Sequence, residues 1–421
     1  MRYIAILLTG IITSCFFFPF EFRFLPGINT KMMVAVVGLM FAVLQMINRR
    51  DATVSKNFFN VSIIAAIFSF ISYYAVAYNN TNDFSYVTYI ISMWVWFFAA
   101  YAACFIIAQI HGTISVKLVV DYLIGIAVFQ CVIALMIEFI PPVKLFVDAY
   151  IDTEIEIMDR INRLYGIGAA LDVAGGKFSS ILLMIGVIMS NYDDIRLNKK
   201  AIMIYSSCFV LIGVIGSMIA RTTYIGLILA LVYIIYRTGI WKKQIKTSNL
   251  KFWRILMGVI FILVLVCIYF YNTSPAFREF FRFGFEGFVN WVETGTWQTG
   301  SSEILQSMVV YPESLKTWLI GDGYLVDPNT GTYYMSTDIG YLRFIFYCGI
   351  IGLLAFSSMF VYLTSTCYRM YHQEKHLFLL LLILVFAIWA KVSTDLFLVY
   401  AIFICIPIVQ KYTNNHLLNK L

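Results

Sequence analysis

Residues 255–282 read ILMGVIFILVLVCIYFYNTSPAFREFFR. From Ile255 to Tyr271 there is neither charge nor proline, and a run of that kind is written for a helix crossing a bilayer. At Asn272-Thr273-Ser274-Pro275 the run stops. Phe277-Arg278-Glu279-Phe280-Phe281-Arg282 then mixes rings with charges, which is surface sequence. The junction decides how the rest is read: an apolar helix delivers the chain to a long polar segment. That segment runs from Tyr271 to Arg343, through several tryptophans and the turn Gly321-Asp322-Gly323-Tyr324. It re-enters apolar sequence at Asp338-Ile339-Gly340-Tyr341-Leu342-Arg343.

Outside this segment nearly everything is membrane-grade. Of 421 residues 61% are hydrophobic and 13% charged, with a mean hydropathy of +0.83. A soluble domain carries about 25% charged residues. The net charge of +7 is spread over loops without a basic stripe, so it speaks for topology and against nucleic acid. The eight cysteines fall in or beside apolar runs without metal-ligand spacing, as small buried hydrophobes do. Met1-Arg2 leads into an apolar run ending at Phe16-Phe17-Phe18-Pro19-Phe20. No small-residue cleavage site follows, so we expect a retained first span.

A span needs about 20 apolar residues. On that rule the sequence predicts twelve, near 3–20, 32–48, 58–78, 86–109, 118–139, 174–190, 201–220, 222–237, 255–271, 338–364, 377–391 and 395–410. The predicted fold class is an all-α polytopic membrane protein with one large outside loop between spans nine and ten. Residues 1–270 hold nine spans and a smaller outside loop at 141–176, 271–337 form the large loop, and 338–421 hold three spans and a tail. With the N-terminus inside, more than half of the 30 basic residues fall on inside loops, which predicts both termini cytoplasmic. In the smaller loop, the spacing of Ile151, Ile155, Met158, Ile161 and Leu164 suits an amphipathic interfacial helix.

Cations on the outside face are the candidates for chemistry. Arg278 and Arg282, four apart, project from one face of a helix, and two guanidinium forks suit a diphosphate. The competing role is a membrane-lying helix whose arginines meet head groups. Arg221 stands at the tip between two apolar runs, where an arginine is costly without a partner. Arg343 lies about one turn inside the tenth span, with Asp338, Asp395 or an anionic substrate to pair with. Lys391 and Asp395, in the last outside turn, are candidates to join this cluster. Arg163 and Lys177 are weaker candidates, and Lys177 is expected to snorkel. His111, His372, His376 and His416 all fall on the inside. An outside base is therefore a carboxylate, with Asp338, Glu279 and Glu286 nearest. Gly321-Asp322-Gly323 lacks the lysine of a nucleotide-binding loop.

The tip at Arg221, the large outside loop before the late spans, the Gly321/Gly323 turn, Asp338-Ile339-Gly340-Tyr341 and Phe346-Tyr347-Cys348-Gly349-Ile350-Ile351-Gly352 together resemble the bacterial O-antigen polymerase family. O-antigen ligases share the general plan. The resemblance implies an inner-membrane glycosyltransferase of lipopolysaccharide biosynthesis. Such an enzyme joins oligosaccharide repeat units carried on undecaprenyl diphosphate at the periplasmic face. The lipid-linked oligosaccharide is both donor and acceptor, and a chain-length regulator protein is a further partner. Ligases typically carry a histidine shortly after the Gly-x-Gly turn. Here Ser336-Thr337-Asp338 stands in that place, which favours the polymerase.

On this reading Arg221, Arg278 and Arg282 hold the diphosphate, with Arg343 in reserve, and Asp338 is the base or orients the acceptor. Trp291, Trp297, Tyr324, Tyr333 and Tyr334 stack on sugars or anchor the interface. The scheme calls for no metal and no cofactor. The alternatives are a ligase using a carboxylate, or a flippase of lipid-linked sugars. Carriers often show two matching six-span halves, and these halves do not match.

Overall fold

The computed structural model describes residues 2–49, 55–152, 163–239 and 247–418. Each apolar stretch predicted to span centres on a helix. The first five are α1 (Arg2–Phe17), α2 (Thr30–Arg49), α3 (Lys56–Asn79), α4 (Tyr89–His111) and α5 (Val116–Phe139). After the short α6 (Pro141–Tyr150) come α7 (Leu171–Asn191), the single turn α8 (Asp193–Arg196), α9 (Lys199–Ile219), α10 (Thr223–Thr238) and α11 (Thr247–Thr273). The polar segment forms α12 (Pro275–Gly284), α13 (Glu286–Thr294), α14 (Gly300–Ser307) and α15 (Leu315–Leu319). The last three are α16 (Gly340–Met370), α17 (Lys375–Trp389) and α18 (Phe397–Leu418). Among the described residues eight helices are long and apolar enough to cross a membrane. α1, α10, α17 and α18 are shorter apolar helices. The chain is therefore an all-α membrane protein. The amphipathic helix expected in the smaller loop falls largely outside the described residues, while Ile151–Asp152 pairs antiparallel with Glu21–Phe22.

The bundle is organised around α7, which is buried along almost its whole length. It packs against α5, α9, α10 and α17. Small residues let these helices close up, as bilayer packing favours. A Cβ at Gly226 would overlap Ser179, and one at Gly186 would meet Ala230 at 3.2 Å. α11 is the opposite case, touching chiefly α9 and α12 and leaving Phe261, Ile262, Leu265 and Ile268 exposed. That apolar surface has no role unless lipid covers it.

α16 begins at Gly340, two residues after the predicted edge, and is broken at Cys348–Gly349, where Gly349 takes φ +67° and ψ −177°. A break strands carbonyls that must find donors. The Gly-x-Gly turn supplies them. Asp322 N–H donates to the Phe346 carbonyl at 2.6 Å and Gly323 N–H to that of Tyr347 at 3.1 Å. The Asp322 carboxylate is held by Lys316 at 2.7 Å and Thr317 at 2.8 Å. Asn79 and Thr81, at the end of α3, donate to the Gly321 and Gly323 carbonyls at 3.1 and 2.9 Å. The turn is thus a structural plug, and it fixes the end of α16 that carries Asp338 and Arg343.

Candidate anion-binding site

Arg221 rides on the tip between α9 and α10, and the tip is bolted to its neighbours. Ser179 Oγ donates to the Thr222 carbonyl at 2.9 Å, Thr223 Oγ1 to the Gly216 carbonyl at 3.0 Å, and Thr222 Oγ1 to Asp172 at 2.7 Å. Tyr224 Oη donates to the Gly284 carbonyl at 2.7 Å, tying the tip to α12. The side chain is mostly buried, pairs with Glu286, and lays its guanidinium over the Phe283 ring at 4.4 Å. Arg163 reaches the same ring at 4.7 Å. Two like-charged guanidiniums therefore converge on one aromatic ring, an arrangement that cation–π attraction favours and mutual repulsion opposes. Burial and Arg221 both work against the Arg163 charge, and Asp172 supports it.

The segment that holds Arg278 and Arg282 is helical, as α12. Ser274 accepts from Phe277 N–H at 3.3 Å and Pro275 follows, an N-terminal pairing that starts a helix cleanly. The helix separates its two arginines by role. Arg282 bonds Glu293 at 2.7 Å and lines, with Arg221, Phe283, Glu286, Val289 and Asn290, a cavity of about 370 Å³. Arg278 does not line it. Its Nε donates to the Tyr271 carbonyl at 2.9 Å, with the guanidinium 5.3 Å from the Tyr271 ring centre. The predicted pair is therefore present on one helix, but only Arg282 shares a chamber with Arg221.

Arg343 pairs with Asp338 at 2.9 Å and sits over the Tyr333 ring at 4.4 Å. Lys391 joins, but through Asp172 at 2.7 Å. Burial raises the Asp338 pKa, Arg343 and Lys391 lower it, and Asp172 adds to the rise. The charges thus form one chain along this end of the bundle: Glu286, Arg221, Arg163, Asp172, Lys391, Asp338, Arg343. Arg163, Arg221 and Arg343 each keep a buried Nε without a hydrogen-bond partner. Such donors suit an incoming oxyanion.

No family model, curated protein or solved structure matches the chain.

Two expectations are corrected. Asp395 does not pair with Arg343 or Lys391; it accepts from Phe397 N–H at 2.7 Å and Tyr89 Oη at 3.1 Å, starting α18. Lys177 does not snorkel. It is 3% exposed, its ammonium lying 5.4 Å from the Phe18 ring and 6.0 Å from Trp96. It stands on α7, which has no lipid-facing side to escape along. Of the stacking candidates, Trp291 and Trp297 are exposed, Tyr333 lies under Arg343, and Tyr334 packs on Tyr324 at 5.5 Å. Asp172 and Glu293 were not anticipated. A carboxylate at the mouth of an apolar run was the available signal for Asp172, and Glu293 had none. His111 and His376 lie at the far end. α4 starts beside Asp395 and runs 23 residues to His111, roughly 34 Å at 1.5 Å per residue.

Proposed function

We propose that this chain is a membrane glycosyltransferase that polymerises undecaprenyl-diphosphate-linked oligosaccharide repeat units at the periplasmic face of the inner membrane, as the resemblance to O-antigen polymerases implies. The observation that carries the reading is the chamber where Arg221 and Arg282 meet, with Arg163 and Arg221 gathered on Phe283. In the reaction an acceptor hydroxyl attacks the anomeric carbon of the donor. The carbon–oxygen bond to the diphosphate breaks, and its electron pair leaves with that group. Charge then concentrates on phosphate oxygens, against which one preorganised donor is worth about 10²–10³ in rate. Asp338, in its ion pair with Arg343, takes the hydroxyl proton.

A diphosphate entering this chamber takes the place of Glu286 on Arg221 and of Glu293, which reaches Arg282 from the neighbouring cleft, much as a counter-ion is displaced. That keeps the cations soluble in a greasy environment between turnovers. The test is reconstitution of the purified protein with a synthetic lipid-linked repeat unit. A ladder of products is expected. Transfer of single units onto a lipid core would make it a ligase, and translocation without bond formation would make it a flippase.

A further inference from the structure

We propose that the apolar cleft between α11 and the α12–α13 pair receives the isoprenoid chain of the lipid-linked donor and so delivers its diphosphate to the Arg221–Arg282 chamber. This rests on the donor class proposed above. The cleft encloses about 400 Å³ and is lined by Leu263, Cys267, Tyr271, Phe281, Phe288 and Val292, among others. Its position is what argues for a lipid tail. Val289 lines both the cleft and the polar chamber. The Arg282–Glu293 ion pair straddles the boundary, since Arg282 faces the chamber and Glu293 the cleft.

One short helix contributes to both cavities. On α12, Arg282 and Phe283 turn to the chamber, while Phe281 turns to the cleft and stacks on Phe285 at 4.4 Å. A ligand with an anionic head and a long apolar tail is the complement of that surface, and neither half of the site needs the other for a soluble anion. The floor of the cleft is α11, the least buried of the eight candidate spans among the described residues, so a chain leaving the cleft passes directly into the bilayer. A larger apolar cavity, about 730 Å³ between α1 and α5, is the rival. Among the described residues no lysine or arginine lines it, and His111, Asp121 and Tyr122 mark its polar end, the end remote from the chamber.

The experiment uses the full-length protein in nanodiscs with two donors, the same repeat unit on undecaprenyl diphosphate and on geranyl diphosphate. Cys267→Trp and Val292→Trp fill the cleft. Each is expected to raise the ratio of KM for the long-chain donor to KM for the short-chain donor by at least about tenfold, the contact of roughly two buried methylenes. In parallel, a diazirine-bearing undecaprenyl diphosphate is photolysed on the unaltered protein. It is expected to label the peptide from Leu263 to Tyr271, which keeps the test decisive if a variant fails to fold. Label confined to α1 and α5, or an unchanged KM ratio in folded variants that still make ladders, overturns the assignment alone. An unaltered protein that extends neither donor overturns the donor class and this assignment with it.

Discussion

Phe283 is the residue on which the site turns, because its ring gathers Arg163 and Arg221 within 4.7 and 4.4 Å. On the proposed reading, truncating Arg221 removes both a phosphate donor and the ion-pair partner of Glu286, whose half-buried carboxylate keeps only the Gly300 N–H at 3.0 Å. Arg221→Ala is expected to slow chain extension by about 10²–10³, measured as the rate of ladder growth at unchanged protein abundance. Arg278 sits outside the chamber on a backbone carbonyl. Arg278→Ala is expected to cost less than about tenfold, in line with one hydrogen bond worth about 1 kcal/mol. Equal losses for the two would place the diphosphate elsewhere on α12. Asp338 carries a pH prediction. Its pKa is raised above the usual value, chiefly by burial, so on acidification it takes up its proton earlier than an ordinary carboxylate of about 3.9. The acid limb of the pH–rate profile is expected correspondingly high, and Asp338→Asn should abolish that limb together with most activity.

Elements explain why these residues stay put. The plug between α15 and the break in α16 depends on Gly349, whose φ of +67° and contact with the Leu319 carbonyl leave no place for a Cβ. Gly349→Ala is expected to destabilise by about 2 kcal/mol or more, read as a lowered midpoint in a detergent thermal melt. An unchanged midpoint would mean the break is not held by this close approach. The Gly-x-Gly turn was visible in the sequence, but its work was not. A pair of glycines signals positive φ, and only the folded chain shows that the N–H groups of Asp322 and Gly323 satisfy carbonyls of a helix more than twenty residues away. The shared face of Arg278 and Arg282 was legible only on the condition that the segment is helical, a condition that Pro275–Gly284 meets. Which arginine faces Arg221 was not legible, since that depends on how α12 rolls against α9 and α11.

At the scale of the whole molecule, the charged end and the bare flank of α11 are two parts of one arrangement. Charges collect at the ends of the bundle, the chain of ion pairs here and Lys117–Asp121 and Arg196–Asp193 at the other end, because a charge in the apolar interior is costly, and Lys177 on α7 is the exception. If the polar segment faces outward as the basic residues predict, Thr296→Cys is expected to react in intact cells with a membrane-impermeant maleimide, while the native cysteines, held in helices, stay largely unlabelled. Labelling that requires lysis would invert the topology and move the site to the cytoplasm.

Hydrophobic run length needs no partner to be read, since a bilayer imposes the same requirement on every span. The positions of the helices, the polar segment among them and the supply of cations were therefore legible from residue order alone. Ion pairing is a property of distance, and distance across a bundle is set by packing. That is why Lys391 met Asp172, why Asp395 met Tyr89 and not Arg343, why Arg163 rose from a weak candidate to share the Phe283 ring with Arg221, and why Lys177 was sealed among rings.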